Sequence, residues 1–292
     1  MRVRGLAAVR QAIESAPLPD DMPGMAHIED CVIDGPGRPI PIRIYCPAIT
    51  SGAPVLVYFH GGGMVMGSNH SFEPLARTLA AQTDATVVSV DYRLAPESPA
   101  PAQFDDAYAA TEWVASRADQ LGVDANRLVV AGDSAGGSLA AAVALAARDR
   151  DGPPIFCQLL MYPGLDRDLD APSVRALADA PLLSRDDIEY MHALADTGAD
   201  PAVDQYRVPA YANDLTGLPP AIVVTAECDP IRDWGERYAM RLRDAGVQTT
   251  VTRYPGAYHG FLMRSDATAR GRLAIAEIGG LVRAKFTHPL GF

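Results

Sequence analysis

The chain has 292 residues, 48% of them hydrophobic and 21% charged, and a formal net charge of −11. That length is enough to bury a large core, and the composition is that of an ordinary globular protein rather than a fibrous or low-complexity one. The acidic balance argues against nucleic acid as a partner, because phosphates would be repelled, and no apolar run is long enough to cross a bilayer.

The N-terminus begins basic, Met1-Arg2-Val3-Arg4, but Arg10 and Glu14 interrupt any apolar core of signal-peptide length, so no export signal is expected. No strand pattern appears up to about Asp30. Apolar, β-branched runs then mark strands over 40–45, 55–59, 86–90, 128–131, 156–161, 221–225 and 249–254. Several are almost continuously apolar, as strands covered on both faces should be. Between them, apolar residues at three- and four-residue spacing mark helices over 72–81, 104–118, 139–148, 233–245 and 267–284. Strand alternating with helix predicts an α/β fold, a single domain over 1–292 with a mostly parallel, doubly wound sheet and right-handed crossovers. One stretch breaks the rhythm. Residues of about 164–217 contain no strand and one helix, over 184–195, with Ser184 as its N-cap and Asp187 at the capping-box position. A connection this long inside a domain is usually functional. It is expected to pack with residues of about 1–35 as a helical cap, whose Met22, Met25, Leu182, Met191 and Leu194 would set the pocket. The four cysteines, Cys31, Cys46, Cys157 and Cys228, form no C-x-x-C pair. Reduced and mostly buried thiols, no metal site and a cytoplasmic location are expected.

The chemistry is concentrated at strand ends. Gly132-Asp133-Ser134-Ala135-Gly136-Gly137 follows the strand over 128–131 and precedes a helix. A serine between glycines on such a strand-to-helix turn would stand above the sheet edge beside free helical N–H groups, the context of a nucleophile elbow. The alternative is a serine that merely caps the helix. His60-Gly61-Gly62-Gly63 follows the strand over 55–59 and offers bare backbone donors for an oxyanion. Gly62, Gly63 and Ala135 are the expected donors; Gly61 shapes the turn, and the His60 ring holds the loop. A serine nucleophile needs a base, and the base an orienting acid, in the chain order serine, acid, histidine. His259, in the loop after 249–254, suits the base; His27, His70, His192 and His288 have no comparable setting. Among Glu227, Asp229 and Asp233, Asp229 stands at the turn before Pro230 and is assigned as the acid. Asp233 is expected to cap the next helix, and Glu227 ranks third. Arg93 and Glu97 are expected to form an ion pair bracing the loops, and Asp133 to bond neighbouring backbone outside the triad.

These motifs together resemble the bacterial hormone-sensitive-lipase-like esterases, the family IV lipolytic enzymes of the α/β-hydrolase fold. The matching segments are His60-Gly61-Gly62-Gly63, Tyr92-Arg93-Leu94-Ala95-Pro96-Glu97, Gly132 to Gly137, Leu218-Pro219-Pro220-Ala221, Asp229-Pro230-Ile231-Arg232-Asp233 and His259-Gly260-Phe261, in the family's order. The resemblance implies hydrolysis of short- to medium-chain carboxylic esters without a cofactor. It implies Ser134, Asp229 and His259 as the triad, and Gly62, Gly63 and Ala135 as the oxyanion donors. Members are monomers or dimers, so a homodimer is an expectation. The departures, Cys228 for an aromatic and Trp234-Gly235 for an acidic residue and glycine, avoid the triad. An amidase or peptidase could use the same triad, and a non-catalytic binding protein could use the same fold; turnover of matched esters and amides separates them.

Overall fold

A computed structural model describes residues 5–196 and 204–289. Its centre is an eight-stranded sheet in the order β1-β2-β4-β3-β5-β6-β7-β8. The strands are β1 (His27–Ile33), β2 (Ile40–Cys46), β3 (Ala53–Phe59), β4 (Thr86–Val90), β5 (Val123–Asp133), β6 (Cys157–Met161), β7 (Ala221–Cys228) and β8 (Thr249–Tyr258). β2 pairs antiparallel with β1 and β4, and every pairing from β4 to β8 is parallel.

Alternation along each strand feeds two cores. Val55, Val57 and Phe59 face one side, with α3 (Ala102–Ser116), α5 (Ala135–Asp149) and α8 (Arg232–Asp244). Leu56 and Tyr58 face the other, with α2 (Glu73–Thr83) and α9 (Ala269–Thr287). A third cluster lies above the C-terminal strand ends, where Val174 of α6 (Pro172–Ala176) and Ile188 and Met191 of α7 (Arg185–Ala195) pack with Val65, Ile231 and Trp234. The single turn Ala118–Leu121, here α4, links α3 to β5. The capping box on α7 is present: Asp187 N donates to Ser184 Oγ at 3.1 Å, and Ser184 N to Asp187 Oδ2 at 3.3 Å.

The first helix, α1 (Leu6–Glu14), buries none of its residues. Arg10 ties it down, donating to Val65 O and Ala95 O, each at 2.7 Å, and pairing with Glu97 at 2.7 Å.

Four expectations need correction. The segment up to Asp30 is not wholly outside the sheet: its last four residues, from His27, open β1, an edge strand whose exposed residues follow no apolar run. α5 starts at Ala135, not at 139, because its first turns are buried whichever way they face and so carry no periodicity. Only Cys157 is buried; Cys31, Cys46 and Cys228 are partly exposed, because each lies near a strand end or the sheet edge. Of the five residues expected to set the pocket, Leu182 and Met191 line it, whereas Met25 and Leu194 pack against the second and third cores and Met22 borders a separate space of about 30 Å³. Within the insertion of about 164–217, residues 197–203 lie outside the described residues, as do 1–4 of the N-terminal piece. Among the described residues, no helix is long and apolar enough to cross a membrane.

Candidate active site

Ser134 joins β5 to α5 with φ 54 and ψ −119, a left-handed backbone that a non-glycine residue adopts only when its surroundings enforce it. The surroundings do so by close approach. A Cβ on Gly136 would lie 1.9 Å from Phe59 O, and one on Gly132 2.1 Å from Gly136 O. Ser134 N donates to Met161 O at 2.9 Å, pinning the turn to β6. The side chain makes no capping bond to α5. It turns instead toward His259, whose Nε2 lies 2.9 Å from Ser134 Oγ.

His259 follows β8 directly, and Asp229 follows β7. His259 Nδ1 lies 2.7 Å from Asp229 Oδ2. Asp229 is fully buried, and its second oxygen accepts from Ile231 N at 2.9 Å, so the carboxylate cannot swing away. With Nδ1 donating to Asp229, the lone pair of Nε2 faces the serine hydroxyl. The edge of the Tyr162 ring packs against the imidazole, 5.1 Å between centroids. Serine, histidine and aspartate thus form a continuous relay at the C-terminal ends of three parallel strands, where open α/β sheets place their ligands.

The competing carboxylates are engaged elsewhere. Exposed Glu227 accepts from Gly256 N at 2.6 Å. Asp233 does not cap α8, because the helix starts one residue earlier with Ile231 at the cap. It accepts from Ser173 N at 2.9 Å and pairs with Arg232, fastening α6 to the start of α8. Arg93 and Glu97 do not pair with each other. Arg93 is held by buried Asp106 at 2.7 Å, while Glu97 is taken by Arg10. Both true partners are distant in sequence, so a local reading cannot find them.

The glycine loop leaves β3 with Gly62 at φ 113 and Gly63 at φ 64. At Gly62 a Cβ would lie 2.0 Å from Met66 O. Gly61 N is spent on Asp133 Oδ1 at 2.9 Å. Among the described residues, no acceptor is bonded to the N–H of Gly62, Gly63 or Ala135, and each of these residues borders a space beside Ser134. His60 braces the loop through Nδ1, 2.7 Å from Gly61 O, and its ring stacks on Tyr92 at 4.3 Å. Burial keeps that imidazole neutral, lowering its pKa to about 4. Asp133 bonds backbone, as read, but that of the glycine loop rather than its own turn, and Tyr58 OH also donates to it at 2.7 Å. Burial raises the Asp133 pKa to about 6 against the pull of these donors.

Two spaces meet at Ser134. The larger, about 740 Å³, is lined by Val9 and Ile13 of α1, Gly62, Leu182, His259 and Met263. The smaller, about 60 Å³, lies toward α7 and is lined by Gly63, Ala135, Gly164, Arg167 and Trp234. Neither the α1 wall nor Arg167 was signalled by any motif. Among the described residues, no three His, Cys, Asp or Glu side chains converge as a metal cluster.

Comparison with known proteins agrees with this architecture. A family model described as an alpha/beta hydrolase fold matches residues 56–263. The esterase LipI of Mycobacterium tuberculosis is 43% identical over 289 residues, covering 94% of this chain and 89% of that protein. An ethyl acetate hydrolase of Pseudomonas putida is 36% identical over 267 residues, 87% of this chain and 82% of its own. Among solved structures, a hyperthermophilic esterase from Pyrobaculum calidifontis superposes with a TM-score of 0.89 at 38% identity, covering 97% of this chain and 92% of that one.

Proposed function

The chain belongs to the α/β-hydrolase family, in its hormone-sensitive-lipase-like branch, and we propose that it is a serine carboxylesterase working through Ser134, His259 and Asp229. The observation that carries this reading is the pair of hydrogen bonds, 2.9 Å and 2.7 Å, joining the three side chains. In the proposed cycle His259 removes the proton from Ser134 Oγ as it attacks the ester carbonyl carbon. The carbonyl oxygen becomes an oxyanion held by the N–H groups of Gly62, Gly63 and Ala135. His259, now protonated and steadied by Asp229, gives its proton to the departing alkoxide. Water then attacks the acyl-enzyme with His259 again as base, releasing the acid and restoring Ser134.

Residues of about 1–35, apart from the strand they contribute, together with the insertion of about 164–217 act in this proposal as a cap. Val9, Ile13, Leu182 and Met191 from both pieces face the cleft, which supports it. A volume of about 740 Å³ suits a small-molecule ester. Acyl chains are expected to be short to medium. A series of chromogenic esters of increasing acyl length tests the reading, with organophosphate labelling of Ser134 alongside. Turnover with a maximum at short chains and labelling lost in Ser134→Ala are expected. No turnover of any ester, or full activity in Ser134→Ala, would overturn it.

A further inference from the structure

Ser134 separates two spaces of different character. His259 borders the larger and is absent from the walls of the smaller. A leaving alcohol must receive its proton from His259, so on the proposed mechanism it departs on the larger side. The acyl group is then directed into the smaller cavity.

That cavity has an unusual wall. Arg167 lies just beyond the turn after β6 and borders both this cavity and a further one of about 40 Å³ behind it. A guanidinium carries five N–H donors. Among the described residues, Arg167 uses one side-chain donor, from Nη2 to Asp196 Oδ1 at 3.2 Å. Its side chain keeps 19% of its surface exposed. Asp196 Oδ1 is shared with Arg207, which borders the same two cavities. His192 lies on the same wall. Burial and then the nearby guanidinium groups of Arg167 and Arg207 lower its pKa to about 3, the response of an imidazole in a positive local field.

Filling this cavity with an alkyl chain would strand guanidinium donors away from water, and unpaired buried donors are costly. A carboxylate would satisfy them in the bidentate geometry that a guanidinium favours. We propose that the smaller cavity is an acyl pocket for groups ending in a carboxylate, so that monoesters of short dicarboxylic acids are the favoured substrate class, with Arg167 determining that specificity. The proposal rests on the esterase reading of Ser134. It also runs against the whole-molecule charge of −11, which repels anions, so a preference for an anionic ester must arise locally.

The test compares monoethyl succinate with its neutral isostere, ethyl 4-methylpentanoate, by titrating acid release. The wild-type ratio of kcat/KM, anionic over neutral, is expected to exceed one and to fall with added salt. In Arg167→Met the ratio should fall about tenfold or more, the scale of one charge-assisted hydrogen bond, whatever the absolute rates. Arg167→Lys should keep part of the preference as a point charge. A ratio changed less than about twofold by Arg167→Met, or a wild-type ratio below one and insensitive to salt, overturns the proposal. The wild-type salt series decides the matter if Arg167→Met fails to fold. If the wild type hydrolyses neither ester but turns over the chromogenic series, this proposal falls and the esterase reading stands; if it turns over no ester at all, the esterase reading falls.

Discussion

Asp229→Asn probes the relay at its buried end. Asp229 presents one oxygen to Ile231 N and the other to His259 Nδ1. An asparagine that keeps its oxygen on Ile231 N must point its NH₂ at Nδ1. The imidazole then carries its proton on Nε2, facing Ser134 Oγ, and cannot act as a base. The working tautomer requires the amide to flip, setting NH₂ against Ile231 N–H. Two buried donors then face each other, at a cost of about 2 kcal/mol. Even when flipped, the neutral amide loses the charge-assisted bond to the imidazolium, a further ~2 kcal/mol. Together these come to about 4 kcal/mol, or a fall in kcat of about 10³-fold, with about 10⁴ as the ceiling set by comparable substitutions in other triads. The assay is kcat on a short chromogenic ester, with thermal melting to show that the variant is folded. Asp233→Asn, which loosens the Ser173 contact and the pair with Arg232, should lose less than about tenfold, since both are remote from the reacting atoms. An Asp229→Asn variant within tenfold of wild type, or a larger loss in Asp233→Asn, would refute the assignment.

Ser134→Ala should lower turnover by about 10⁶, the scale of nucleophile removal in serine hydrolases, as read by ester hydrolysis at high enzyme concentration. Gly62→Ala should cost at least about 10²-fold in kcat, the loss of one oxyanion donor, because its Cβ meets a carbonyl oxygen at φ 113. Gly63→Ala should be milder, since φ 64 is open to other residues at modest cost and its Cβ meets the flexible Met191 side chain. Acid stability should reflect His60 and Asp133 in opposite directions. His60 stays neutral in the fold to about pH 4, so its contribution is complete above the ordinary value of 6.5 and is lost as pH falls between the two, about 3 kcal/mol in all. Asp133, raised from 3.8 to about 6, binds its proton earlier in the folded state, so stability from this group rises as pH falls through 6. Asp133→Asn removes that offset and should steepen the loss of stability between pH 6 and 4 in urea titrations; an unchanged slope would contradict it.

Seven of the eight strands were legible as runs in the sequence, β3 to β7 because they are largely buried on both faces, β2 and β8 by their β-branched residues alone. β1 was not, because an edge strand needs burial on only part of one face, and His27 to Asp30 are all exposed. The relay residues were legible because each sits immediately beyond a strand, in the order the chemistry requires. The start of α5 was hidden by glycine and serine, whose low helix propensity is overridden by complete burial. Ion pairing was the least readable feature. Arg93 finds Asp106 on α3, and Glu97 finds Arg10 across 87 positions of chain, because the fold and not local spacing brings charges together. Arg167 was silent for the same reason: nothing near it in sequence marks it as the wall of a cavity.

The helix α1 supplies Val9 and Ile13 to the cleft and contributes no buried residue to any core. Nine residues are too few to persist as a helix alone in water. This wall is therefore held by the guanidinium of Arg10, spanning two carbonyls and Glu97, by Ser68 Oγ donating to Glu14 at 2.7 Å and by Leu6 against the third core. Letting it melt gives up one half-buried leucine contact and no buried residue of its own, so the event belongs to the cheap end of the local-opening spectrum and is separate from global unfolding. On the proposed mechanism, the range of alcohols admitted and the resistance to heat are then written in different parts of the molecule. Drift at Arg10 or along α1 can retune the first while leaving the second untouched.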